Sequence, residues 1–70
     1  MASEYQHIDT IRDVDGNPVA IGVREGVVII GISRTAANEV HLDATQREQF
    51  QRAFMAAERA AETYDRAHPW

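Results

Sequence analysis

The stretch Val19-Ala20-Ile21-Gly22-Val23-Arg24-Glu25-Gly26-Val27-Val28-Ile29-Ile30-Gly31-Ile32 constrains this chain more than any other. β-Branched side chains crowd both sides of Glu25-Gly26, which reads as the turn of a β-hairpin. With a two-residue loop at Glu25-Gly26, Val23 faces Val28, Ile21 faces Ile30 and Val19 faces Ile32, so six aliphatic side chains share one side of the ribbon. A slip of one residue would set them against the other face, where Ala20, Gly22 and Gly31 lie beside Val27, Ile29 and Arg24, and the register is therefore hard to slip.

The flanking segments extend this hairpin into a meander. Tyr5–Val14 supplies a partner strand, although Ile8 and Val14 fall on one face and Ile11 on the other, a pattern that predicts a bulge or an irregular start. Residues 34–38 form a loop, and Glu39–Leu42 is expected to add a short fourth strand with Val40 and Leu42 on the apolar face. Apolar residues on both sides of Val27–Ile32 then predict a central strand with Ile29 covered. Asp15-Gly16 reads as a type I′ turn, with Pro18 opening the next strand.

At Asp43 the period changes. Asp43 followed by Gln46 is the signature of a helix start, and no Gly or Pro follows from Ala44 to Ala67 before His68-Pro69 imposes a stop. The whole chain, residues 1–70, thus reads as a single α+β domain: an antiparallel β-meander of three to four strands within residues 5–42, then one long helix over about residues 44–67.

The helix carries the main expectation about assembly. Its 24 residues rise ~36 Å, whereas a six-residue strand spans ~20 Å. Phe50 and Phe54 are expected to fill the sheet core, and the small-residue seam Ala53, Ala57, Ala60, Ala61, Tyr64 and Ala67 to run past the sheet as a homodimer interface. A chain of 70 residues without cysteine buries a small core, and oligomerisation is the remaining source of stability. Glu48–Arg52 and Glu62–Arg66 are spaced for ion pairs on the outer side.

Candidate chemistry is sparse. Asp13-Val14-Asp15-Gly16-Asn17 resembles a calcium loop at Gly16, yet alignment on that glycine puts Ile11 at the first ligand position and Gly22 where a bidentate glutamate belongs. A turn is the expected reading. His7, His41 and His68 fall on three separate segments, and Ser33 lies in no nucleophile elbow. No catalytic residue, metal ligand or cofactor is expected, and the chain reads as a non-enzyme.

All seven basic residues are arginine, and the net charge of −4 disfavours general attraction to phosphate backbones. The arginine and alanine bias fits a GC-rich bacterial or phage genome. Residues 1–10 lack the parts of a signal peptide, no apolar run approaches the ~20 residues of a membrane span, and a cytoplasmic location is expected. Tyr5, Arg12, Arg24, Ile29, Arg34 and His41 form the candidate partner or nucleic-acid face, and Trp70 reads either as a frayed tail or as an aromatic that docks on an apolar patch or a neighbour.

The transition Val40-His41-Leu42-Asp43-Ala44-Thr45-Gln46 leading to Phe50 resembles the end of the single-stranded DNA-binding domain of PC4-type transcriptional coactivators. That resemblance implies a curved four-stranded sheet, one helix, dimerisation through the helix and nucleic-acid binding on the sheet. The chain departs from the family in having no lysine-rich sheet surface. It also resembles short actinobacterial and phage proteins that combine a β-meander with an alanine-rich helix. The leading expectation is a non-enzymatic interaction or regulatory module acting as a homodimer, with single-stranded nucleic-acid binding as the alternative.

Overall fold

The computed structural model describes Tyr5, residues 7–32 and residues 39–69. Ser33, Arg34, the rest of the loop expected at residues 34–38, and Trp70 lie outside them. Three strands, β1 (His7–Arg12), β2 (Pro18–Arg24) and β3 (Val27–Ile32), precede the helix α1 (Ala44–Ala67). The strands form one antiparallel sheet in the order β1-β2-β3. The βββα plan of the sequence reading is the observed fold.

The hairpin register is the one that the aliphatic pattern demands: Val19 pairs with Ile32, Ile21 with Ile30 and Val23 with Val28. Glu25 and Gly26 both have positive φ, 53° and 79°, which makes their loop a type I′ turn. A Cβ at Gly26 would also crowd the Asp65 carboxylate and the Tyr64 ring, where the C-terminal turn of α1 meets the hairpin end.

β1 pairs one-to-one with β2 from His7↔Val23 to Arg12↔Pro18, so the expected bulge is absent from this stretch. The regular ladder needs only Ile11 on the core side, and Ile8 is left exposed on the far side. Between these strands the turn also differs from expectation. The Asp13 N–H donates to the Asn17 carbonyl (2.9 Å), the Gly16 N–H donates to the Asp13 carbonyl (3.0 Å), and Gly16 takes φ +84°. Only Gly16 is left-handed in this loop, which excludes type I′ and defines a type I turn closed by a left-handed glycine.

The core is one aliphatic row beneath one alanine stripe. Val19, Ile21 and Val23 of β2, with Ile11 of β1, pack under Ala53, Ala57 and Ala61 of α1. Large side chains on the sheet meet small ones on the helix, so the two layers approach closely. The seam expected at a dimer interface is therefore spent within the chain at Ala53, Ala57 and Ala61. Ala60 also packs against this core. The aromatic pair is peripheral by comparison: Phe50 and Phe54 are half-buried and stack on each other at 6.3 Å, and Phe50 flanks the core rather than filling it.

Nor does the seam run past the sheet. From Ala53 to Asp65 the helix rises ~18 Å, close to the ~20 Å of a six-residue strand, and Tyr64 and Asp65 reach Gly26. The surplus length is at the N-terminal end. There Asp43 caps the helix, its carboxylate accepting from the Thr45 and Gln46 amides at 3.0 and 3.2 Å. At the other end His68 donates its backbone N–H to the Tyr64 carbonyl (2.9 Å) and stacks on the Tyr64 ring at 3.9 Å, before Pro69 ends the helix. On the outer side the expected Glu48–Arg52 pair is formed.

The expected fourth strand is not formed: residues 39–43 belong to no strand. The backbone of His41 bonds instead to the β1–β2 loop, for reasons given below. The sheet consequently has β2 at its centre, and β3, expected to be central, is an edge strand among the described residues.

If the alanine-capped β2 row is the core, Ile21→Ala should cost about 2–5 kcal/mol in urea denaturation. Phe54→Ala, removing a half-buried ring, should cost less than half as much as the Ile21 change. Equal losses would show that the aromatic pair, not the row, carries the fold.

Candidate functional site

Three surfaces deserve comparison, and the sheet positions all of them. At the end of the sheet near the β1–β2 loop, Asp13 is buried, 4% exposed, although it is charged. Its Oδ1 accepts from the amides of Asp15 (2.9 Å) and Asn17 (2.8 Å). Its Oδ2 accepts from the His41 amide (3.0 Å) and the Asn17 side chain (3.3 Å). The Val14 N–H in turn donates to the His41 carbonyl at 2.9 Å. Both backbone groups of residue 41 are thereby taken by the loop, which is why no fourth strand forms there.

These bonds set the titration of the site. The His41 amide foremost, then the Asn17 amide and side chain and the Asp15 amide, lower the Asp13 carboxyl from 3.8 to about 2 against the opposing effect of burial. The His41 ring lies exposed between two carboxylates, Nε2 at 3.0 Å from Glu39 and Nδ1 at 3.1 Å from Asp15. Hydrogen bonding to Glu39, then to Asp15, raises its pKa above 6.5. Among the described residues no group of three or more His, Cys, Asp or Glu is placed to hold a metal ion. "DVDGN" is a loop organised on the Asp13 carboxylate, whose two oxygens are filled by N–H donors.

The second surface is the sheet face turned away from α1. Alternation puts Ile8, Thr10 and Arg12 of β1, Ala20, Gly22 and Arg24 of β2, and Val27, Ile29 and Gly31 of β3 on it. Tyr5, Ile8 and Ile29 wall a shallow groove of about 160 Å³ floored by Ala20, Gly22 and Gly31. The absence of a side chain at Gly22 admits the Tyr5 ring, whose edge would stand only 3.0 Å from a Cβ there. The Arg24 guanidinium lies over that ring, 5.3 Å from its centroid, a cation–π arrangement.

Third is the open side of β3. The helix covers β1 and β2, so Ile30 and Ile32, although they share the face of Ile21 and Val19, remain 49% and 47% exposed. Val27, on the opposite face, is 60% exposed. No described strand pairs with the outer edge of β3. From Val27 to Ile32 there is no charge, no proline and no bulge, the devices that normally guard an edge.

Of the residues assigned to a partner face, the structure unites Tyr5, Arg24 and Ile29. Arg12 lies on the same face at its other end, where its guanidinium donates to the Gly16 carbonyl (2.7 Å). His41 belongs to the loop cluster instead, and Arg34 lies outside the described residues. Among the seam residues, Ala53, Ala57 and Ala61 are buried against the sheet, Ala60 and Tyr64 are half-buried, and Ala67 is exposed. Ile30 and Ile32 were expected inside and emerge as surface. Their signal was present as an uncharged run, and it was the misplaced fourth strand that concealed it.

No helix among the described residues is long and apolar enough to cross a membrane. No protein-family model matches the chain, and neither a curated protein nor a solved structure does.

The two pKa shifts predict opposite pH dependences. Asp13, lowered, contributes stability that is present above 3.8 and lost as the pH falls toward about 2. His41, raised, contributes stability that is complete below 6.5 and lost as the pH rises through its folded value. Thermal melts across this range should show both losses in the native protein. His41→Gln should remove only the alkaline one. Asp13→Asn, which turns an NH2 group on the His41 amide, should lower the midpoint at neutral pH more than Asp15→Asn does.

Proposed function

We propose that the chain is a cytoplasmic, non-enzymatic protein-interaction module that acts as a homodimer and offers the far sheet face to a further protein. The observation that carries this reading is the open side of β3: among the described residues an uncharged aliphatic edge strand, exposed at Val27, Ile30 and Ile32, which the helix covers only in part. An apolar surface of this kind is stabilised by burial against another polypeptide. The small core adds to the argument, because 70 residues bury a limited area and association supplies the remainder.

The face around Tyr5, Arg24 and Ile29 suits protein contact better than nucleic acid. Arg12 is bonded to Gly16 and Arg24 lies on Tyr5, and a net charge of −4 opposes the approach of a phosphate chain. Aromatic and arginine side chains beside an apolar groove are the residue types enriched at protein interfaces.

Sedimentation equilibrium at tens of micromolar should give a mass twice the 7.9 kDa of one chain. Labelled single-stranded oligonucleotides should show no change in fluorescence anisotropy at low salt. A monomer at every concentration would remove the homodimer, and oligonucleotide binding would replace the protein-contact reading with the nucleic-acid one.

A further inference from the structure

We infer that β3 pairs with β3 of a second copy, antiparallel about a two-fold axis through Ile30, to form a continuous six-stranded sheet. The inference rests on the homodimer reading and specifies its interface. The type I′ turn supplies the first step, since it closes on Arg24 and Val27 as a hydrogen-bonded pair. Alternation along an antiparallel ladder then directs the N–H and C=O groups of Val27, Ile29 and Gly31 toward β2. Those of Val28, Ile30 and Ile32 point to the open edge.

A two-fold axis restricts how such an edge can meet itself. Outward groups must bond to outward groups, so only Val28, Ile30 and Ile32 can form the hydrogen-bonded pairs. One register engages all three: Ile30 opposite the partner's Ile30, and Val28 opposite the partner's Ile32. Every other register in the same phase leaves at least one outward residue of β3 without a mate in the partner's β3.

Side chains agree with that register on both faces. On the helix side it sets Ile30 against its own copy and Ile32 against Val28, gathering the two isoleucines that the single chain leaves 49% and 47% exposed. On the far side it sets Ile29 opposite the partner's Gly31, a large residue against a small one. Charge selects the same occupant. β3 carries none, so a charged strand docking there would be desolvated without a counter-charge, whereas a second β3 brings no charge into the contact.

The chain has no cysteine, so any disulfide in a single-cysteine variant joins two chains. Facing residues of a hydrogen-bonded antiparallel pair have Cα atoms ~5.5 Å apart, within disulfide reach. Mild oxidation should therefore link Ile30→Cys at least about tenfold faster than Val27→Cys, which is exposed but remote from the axis. In the unmodified protein, raising the concentration through the dimerisation range should slow hydrogen exchange at Val28, Ile30 and Ile32 by about tenfold or more. A dimer by sedimentation with equal crosslinking rates and no such protection would overturn β3 pairing and leave the homodimer intact. A monomer throughout would overturn both.

Discussion

The Asp13 carboxylate decides where the chain goes after the hairpin. By accepting the His41 amide, while the Val14 amide takes the His41 carbonyl, the β1–β2 loop holds residue 41 at its own end of the sheet. Leu42 and Asp43 follow at once, and the helix must start from that corner and return across β1 and β2 toward Gly26. A buried carboxylate with four N–H donors is a well-satisfied group, and it is satisfied only when the crossing segment is in place. The uncovered state of β3 is the consequence. Had residues 39–42 used their backbone groups in a ladder beside β3, the Asp13 carboxylate would have lost a donor and the edge would have been closed.

Close packing between sheet and helix depends on a division of labour by size. β2 presents Val19, Ile21 and Val23, and α1 answers with Ala53, Ala57 and Ala61, so that the helix backbone lies near the sheet and the aromatics are displaced to its flank. A helix so close is also narrow in what it shelters. Ile11 of β1 is covered and Val28 of β3 is partly covered, but Ile30 and Ile32 fall outside its shadow. Alanine on α1 therefore has a double effect: it tightens the core and restricts it to two strands.

This explains which parts of the fold were legible in the sequence. The hairpin register was, because β-branched residues at alternate positions around Glu25-Gly26 admit one pairing, and the helix limits were, because Asp43 and Pro69 are local signals. The course of residues 39–43 was not, since it is set by the bonds of His41 to Asp13 and Val14, residues far away in the chain. The alternation Glu39-Val40-His41-Leu42 satisfies a strand pattern, yet Val40 and Leu42 reach the core from an irregular segment. The seam was misassigned for a related reason. Helical periodicity identifies an apolar stripe but not its occupant, and an alanine stripe serves a sheet of its own chain as well as a second helix. Of the candidate partner face, Arg24 and Ile29 were recoverable from alternation alone, whereas Tyr5 reaches that face from outside β1 against the alternation, and His41 was assigned by the same strand pattern that failed.

An open aliphatic edge is hazardous unless it has a specific mate, and the distribution of charge bears on this. The net charge of −4 arises outside the helix, whose Glu48, Glu58, Glu62 and Asp65 are matched by Arg47, Arg52, Arg59 and Arg66, and exposed Asp15 and Glu39 on the connecting segments contribute to it. It keeps copies apart in most orientations, while β3 carries no charge along an outer edge that no described strand pairs with. Repulsion elsewhere and neutrality at β3 together favour a single mode of approach. The same distribution limits growth: once two β3 edges are paired, the remaining edges of the sheet belong to β1, whose Asp9 and Arg12 are charged and exposed. The proposed two-fold pair would thus be closed by the sequence of its outer strands, and the open edge of the single chain would become the middle of the assembly.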